Sequence, residues 1–238
     1  MFDLVLKNGN LITMNNNDEI LYNKDLFIKD GKIVAIKETS NKKNLDCINK
    51  YDVTNKYLLP GFINTHTHIF QTLLRGIGAD LKVWDWFETA LDENVSNLKK
   101  EHCFISAKLG AMEAIKSGTT TILDFNYPHP TGFLVDECFD AFSSVGIRSI
   151  VARAIIDQGK AHPKIINESE KEIYDCIRLL EKYHQNDNDM QHVWLAPYTI
   201  FSTSLQTYKR IVKLANEFDT SVTIHASTPS TIEESKAL

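Results

Sequence analysis

The sequence predicts an α/β fold with a parallel sheet, preceded by a small antiparallel β unit. Two patterns and the composition point there. From residue 57 onward, apolar β-branched runs alternate with stretches of helical period, the pattern of strands joined by crossover helices. Before residue 57, short alternating segments flank Asn-Gly and Asp-Gly pairs, which is hairpin chemistry. The 238 residues are 43% apolar and 24% charged, ordinary for a globular protein with ample core.

Taken in order, residues 2–7 and 10–14 alternate around Asn8-Gly9-Asn10 and predict a first hairpin. Residues 25–29 and 32–37 around Asp30-Gly31 predict a second. Asn15-Asn16-Asn17-Asp18 and Asn41-Lys42-Lys43-Asn44 read as polar loops. The later part predicts strands at 58–66, 119–125, 148–155, 193–198 and 221–227. Helices are expected near 83–93, 98–117, 131–145, 168–185 and 204–218. Thr119-Thr120-Thr121-Ile122-Leu123-Asp124-Phe125 and Ser149-Ile150-Val151-Ala152-Arg153 have the β-branched, apolar character of buried parallel strands. The last helix places Leu205, Tyr208, Ile211, Val212 and Leu214-Ala215 on a helical period, with Ser204 as its cap.

A net charge of −5 gives no argument for nucleic acid or an anionic membrane as partner, and neither is expected. No apolar run approaches the roughly 20 residues of a membrane span. The start, Met1-Phe2-Asp3-Leu4, lacks the basic and apolar regions of a signal peptide. Cys47, Cys103, Cys138 and Cys176 are scattered and read as reduced thiols of a cytoplasmic protein, not as metal ligands.

The chemistry concentrates in Leu58-Leu59-Pro60-Gly61-Phe62-Ile63-Asn64-Thr65-His66-Thr67-His68. Residues i and i+2 of a strand share a face, so His66 and His68 can aim at one point. Neutral imidazole is the commonest protein ligand for a metal such as zinc. His102, His129, His162, His184 and His192 fall on helices or loops and read as solvated; His129, between two prolines, is the one near the active face.

Pro60-Gly61-Phe62-Ile63-Asn64-Thr65-His66-Thr67-His68 resembles the first metal-binding motif of the amidohydrolase superfamily. Thr72-Leu73-Leu74-Arg75-Gly76, with Asp80-Leu81 and Trp86, is similar to the branch of S-adenosylhomocysteine/methylthioadenosine deaminases, guanine deaminase and triazine chlorohydrolases. The resemblance implies a (β/α)8 barrel with one metal ion, zinc in the first place and iron as the alternative. It implies that residues 1–56 are the N-terminal part of a β-sandwich and 57–238 an incomplete barrel. About five strands are present, where a barrel closes with eight in roughly 250 residues. His225, at the end of the fifth strand, matches the family's third histidine and would complete the ligand set with His66 and His68. The family's fourth histidine and its aspartate, the general base, have no counterpart. No lysine stands at Ala196-Pro197-Tyr198, where binuclear members carry one, which points to a single metal.

For substrate, the resemblance suggests Gln71 as a partner for a planar heterocycle, Trp86 as a pocket wall, Arg153 at the end of the third strand, and Tyr198 where deaminases carry histidine. Glu113, Gly118 and Asp124 read as structural. The chain departs from the deaminase pattern at Thr228, which stands where a proton-shuttling glutamate is expected; Glu233 and Glu234 follow on the next helix. Near Val95, where a ribose-binding glutamate would fall, Glu93 is shifted by two. The expected function is hydrolysis of a non-peptide C–N bond, deamination of a small N-heterocyclic substrate by metal-activated water. The alternatives are a chlorohydrolase and a non-catalytic or degenerate fragment. On this reading the 238 residues alone are inactive and insoluble, molten or associated, as a homo-oligomer or with a complementing C-terminal fragment.

Overall fold

The computed structural model describes residues 1–40, 46–132, 134–184 and 189–226. The chain forms two compact units, Met1–Gly61 and Phe62–Leu238.

The first unit holds β1 (Phe2–Ile12), β2 (Ile20–Lys29), β3 (Lys32–Glu38), β4 (Cys47–Asp52) and β5 (Tyr57–Leu58). The sheet order is β3-β2-β1-β4, with β5 also on β1. The β1–β2 and β2–β3 pairs are antiparallel, but β4 and β5 pair with β1 in parallel, so the unit is mixed rather than purely antiparallel. The Asp30-Gly31 hairpin forms, with φ of 51° and 69°, the positive values that a two-residue turn requires. The Asn8-Gly9 hairpin does not. β1 runs straight through it with a shift of register between Leu6 and Gly9, so Asn8 sits in a bulge. Long-range bonds hold it there: its N–H donates to Asp25 Oδ1 at 3.0 Å and its Nδ2 to Asp52 Oδ1 at 3.0 Å. Gly9 packs closely here: a Cβ would lie 2.9 Å from the Leu58 side chain, which would have to shift. Residues 15–18 make the predicted polar loop, with Asn15 Oδ1 accepting from the N–H groups of Asn17 and Glu19. The second polar loop, 41–44, lies outside the described residues.

The second unit is a parallel sheet of β6 (Phe62–Thr67), β7 (Thr119–Asn126), β8 (Arg148–Ile155) and β9 (Gln191–Pro197), in that spatial order. The crossovers carry α1 (Val83–Trp86), α2 (Asp92–Val95), α3 (Lys100–Lys116), α4 (Val135–Val145) and α5 (Ser169–Leu179); α6 (Leu205–Glu217) follows β9. A wider π-type turn, Phe87–Leu91, joins α1 to α2, and another, Leu180–His184, extends α5. Strand order equal to chain order, with a helical crossover at each step, is how a β/α barrel begins. The core is built from Ile122, Phe125, Phe139, Phe142, Val151, Ile155, Leu179 and Val193, all almost fully buried. Ser204 caps α6 as expected, accepting from the Thr207 N–H at 3.3 Å. Ile211, Leu214 and Ala215 form that helix's buried stripe, while Leu205 and Val212 are exposed.

Two predicted strands differ in the structure. The 58–66 strand is interrupted at Pro60-Gly61: residues 57–58 pair with β1, whereas 62–67 pair with β7. The fifth strand is reduced to isolated parallel bridges, Leu195 to Val222 and Thr199 to His225. Pro197 explains the interruption. Continuing the ladder beyond Leu195 would need an N–H from residue 197, which proline lacks. The pairing slips by one, and the His225 N–H donates instead to the Tyr198 carbonyl at 3.3 Å. Among the described residues, no helix is long and apolar enough to cross a membrane.

Candidate metal centre

His66 and His68 sit at the end of β6, and His225 comes alongside through its bond to Tyr198. One ring nitrogen from each can be chosen so that all three lie within 4.8 Å of one another. His66 Nε2 and His225 Nε2 are 3.4 Å apart. Ring centroids are 4.9 Å apart for His66 and His68, 5.2 Å for His66 and His225, and 5.1 Å for His68 and His225. His68 Nδ1 lies 2.7 Å from the Phe125 carbonyl. A carbonyl only accepts, so Nδ1 carries the proton and Nε2 keeps its lone pair. Burial pushes the His68 pKa down to about 4, against the Phe125 bond; burial and the two neighbouring imidazoles do the same for His225. Both rings are therefore neutral near pH 7, the form that binds a metal.

Aromatic rings wall this cluster. Phe125 packs against His225 with centroids 4.0 Å apart. Tyr198 lies 5.3 Å from His225 and 4.6 Å from Tyr127, whose ring is 5.4 Å from His68. Gln71 Nε2 donates to the Tyr127 hydroxyl at 3.5 Å. Burial pushes Tyr198 up to about 12 and raises Tyr127 as well, so both remain protonated. Below them, Ile63, Thr65, Thr121, Leu123, Ile150 and Trp194 line an open concavity on the same face of the sheet.

A family model described as the amidohydrolase family matches residues 57–238. The chain belongs to the amidohydrolase family. Among its amidohydrolase relatives, 5-methylthioadenosine/S-adenosylhomocysteine deaminase of Bacillus cereus is 31% identical over 221 residues, covering 92% of this chain and 49% of the relative. The 5'-deoxyadenosine deaminase of Methanobrevibacter smithii is 35% identical over 202 residues, covering 85% of this chain and 43% of the relative. The chain spans about half the length of the curated relatives it matches. An atrazine chlorohydrolase variant from Arthrobacter aurescens, solved with zinc and atraton, superposes with a TM-score of 0.89 at 20% identity, covering 98% of this chain and 55% of that one. That likeness shows the fold, part of the amidohydrolase (β/α)8 barrel.

Within this amidohydrolase chain, the structure brings Gln71 and Tyr198 to the histidine cluster. It sets Arg153 elsewhere. Strand alternation turns Arg153 to the helix-facing side of β8, opposite Ile150. There it is 1% exposed and paired with Glu172 at 2.9 Å and Asp175 at 3.0 Å, both on α5. Burial works against its charge, but the two carboxylates more than offset this and hold the guanidinium protonated. A substrate role for Arg153 is therefore replaced by a structural one. Trp86 is half-buried and packs on the core, against Phe87 and the Gly78 turn. His129 is not solvated: it is 1% exposed, with Nδ1 lacking a hydrogen-bond partner. Thr228, Glu233 and Glu234 lie outside the described residues.

Phe125 and Tyr127 are site residues that the sequence reading missed. Their position at the end of a parallel strand was the available signal, since such ends converge on one face of a barrel. Asp124, between Leu123 and Phe125, is fully buried, and burial raises its pKa to about 6 against the bonds it accepts from Ile69 and Asn126.

Proposed function

We propose that this chain carries the metal-binding part of an amidohydrolase that deaminates a small planar N-heterocycle, with adenine-like nucleosides as the first class to test. His66, His68 and His225 hold one divalent ion, zinc in the first place and iron as the alternative. The observation that carries this reading is the convergence of three imidazoles, two of them held neutral by burial and one with its tautomer set by the Phe125 carbonyl. An all-nitrogen set of three suits a zinc site that keeps a position open for water or substrate. When bound there, such an ion would acidify a water and supply a hydroxide-like nucleophile near neutral pH.

The chain's own groups then bind and orient. Tyr198, half-buried, offers an aromatic face to a flat ring, with the buried Phe125 and Tyr127 packed behind it. The protonated tyrosine hydroxyls and the Gln71 amide can donate to ring nitrogens or a carbonyl oxygen. Among the described residues the histidine cluster includes no carboxylate, so these residues account for binding rather than for the proton transfer. Residues 57–238 carry the site on this reading, and residues 1–56 form part of a β-sandwich. Four unpaired cysteines, three of them buried, support a reducing, cytoplasmic setting.

The test uses the protein as its gene encodes it, purified without chelator. Elemental analysis is expected to find one ion per chain in the wild type and none in His66→Ala/His68→Ala. Ammonia release from adenosine, 5'-deoxyadenosine, guanine and an aminotriazine then identifies the substrate. Chloride release from a chlorotriazine, with no ammonia from the amines, would establish the chlorohydrolase reading instead. Metal uptake without turnover of any of them would favour a non-catalytic binding protein. Equal metal in wild type and the double variant would remove the site altogether.

A further inference from the structure

We infer that Asp124, on the strand beside the histidine motif, is a positioning residue that sets the backbone of His68. The inference rests on the reading of His66, His68 and His225 as a metal site.

His68 directly follows β6 and caps a 3-10 turn, Ile69–Leu74. The first N–H groups of such a turn have no partner within it and need an acceptor from outside. The His68 side chain makes no capping bond. Asp124 provides the acceptor from the neighbouring strand: its Oδ1 receives the Ile69 N–H at 2.9 Å. Its other oxygen, Oδ2, receives Asn126 Nδ2 at 3.0 Å, which fixes the rotation of the carboxylate. The next residue, Phe125, accepts from the His68 ring through its carbonyl. Two consecutive residues of β7 therefore grip His68 at two points, Asp124 through the backbone and Phe125 through the imidazole. With φ −118° and ψ 83° held between these bonds, Nε2 is left facing His66 and His225.

Energetics favour a positioning role over a purely stabilising one. Asp124 is fully buried, and the bonds it accepts come from neutral donors, a backbone N–H and a side-chain amide. Burying a carboxylate without a paired cation is costly, and an apolar residue would suit the core side of β7 better. Its two bonds serve one end, which is to tie the residue after His68 to the strand that also holds the His68 ring.

The experiment compares wild type, Asp124→Ala and Asp124→Asn in the full protein. Asn keeps the side-chain size and one oxygen for the Ile69 N–H, but sets an amide against Asn126. Zinc affinity is measured by competition with a chromophoric chelator. The visible spectrum of the cobalt(II) form, and the ring-nitrogen shifts of His68 in the metal-free protein, report geometry independently of turnover. Asp124→Ala is expected to weaken zinc binding by about 10- to 100-fold, the usual cost of losing a group that orients a ligand. Its cobalt band should change and the His68 Nδ1–H signal broaden, with Asp124→Asn in between. If Asp124→Ala does not fold, Asp124→Asn decides by the same readouts. A folded variant with zinc affinity within about threefold of wild type and an unchanged cobalt spectrum overturns the positioning role, even if its melting temperature falls. A wild type that takes up neither zinc nor cobalt overturns the histidine-site reading itself, and this inference with it.

Discussion

The two faces of the parallel sheet treat their polar groups in opposite ways. On the helix-facing side, Arg153 is sealed among carboxylates, with Glu172 and Asp175 within 3.0 Å and Arg178 bridging Asp175 to Asp136. Every one of those charges is spent within the fold. On the inner side, His66, His68 and His225 converge without any carboxylate in their cluster among the described residues. The bond from the His68 ring to Phe125 orients that ring through Nδ1 and leaves Nε2 for a ligand. Buried charges that are paired hold a structure together. Ring nitrogens that converge with no carboxylate beside them are available to something that is not protein.

The sharpest way to break this comparison is to remove the outer charge. Arg153→Met leaves Glu172 buried without its partner and Asp175 with only Arg178. Breaking one side of a buried ion pair typically costs about 3–5 kcal/mol, because an uncompensated charge stays in the interior. Urea unfolding should show a loss of that order, and Glu172→Leu added to Arg153→Met should recover part of it. Wild-type stability in Arg153→Met would mean that the guanidinium is free for another task, and the contrast between the faces would fail.

His225→Ala asks the converse question. His225 is half-buried against Phe125, so its loss should change the metal-free stability by only about 1 kcal/mol. The effect should instead appear in linkage. Zinc at a hundredfold excess over its Kd is expected to stabilise the wild type by about 2.7 kcal/mol and His225→Ala hardly at all. Arg153→Met, though weakened, should keep the zinc increment. Thermal unfolding with and without zinc checks all three proteins in one series. A zinc increment lost equally in both variants would show that the site fails through general loosening.

How far the sequence disclosed these two faces depends on the range of the contacts involved. His66 and His68 were legible because strand period is local, and two residues apart means one face. Arg153 could have been assigned by the same rule, since Ile150 and Arg153 differ by an odd number and must face opposite sides. The resemblance drew it toward the substrate instead. His225 was legible only through the family pattern, because nothing local brings residue 225 to residue 66. The grip of Asp124 and Phe125 on His68 was not legible, since it depends on which strand neighbours β6. Asn8-Gly9 misled because the dipeptide that makes hairpins also makes bulges, and the deciding bonds come from Asp25 and Asp52, far along the chain. The fifth strand was overcalled because Pro197, on the partner strand, breaks the ladder.

The smallest effect sharpens the comparison at a group that is neutral on the buried side. His129 lies in the loop between β7 and α4, fully buried, with Nε2 3.4 Å from the Asn126 carbonyl and Nδ1 unpartnered. Burial holds its pKa well below the usual histidine range, and the positive charges of Arg153 and Lys171 act the same way. An unfolded histidine titrates near 6.5, so below that pH the unfolded chain binds a proton that native His129 refuses. The stability that His129 contributes by staying neutral is thus present above about pH 6.5 and lost as pH falls toward its native value. His129→Phe removes both this dependence and the unsatisfied nitrogen. Near pH 7.5 the variant should match the wild type or exceed it by about 1 kcal/mol, the order of cost of one unmet buried polar group. From pH 6.5 downward the gap should widen in favour of the variant. All other ionisable groups are common to the two proteins, so urea midpoints of chelator-treated samples, subtracted at each pH, isolate His129. A difference that stays flat from pH 7.5 to pH 5 would mean that His129 meets water or a proton in the native state, and that the helix-facing side is less sealed than the pairing around Arg153 implies.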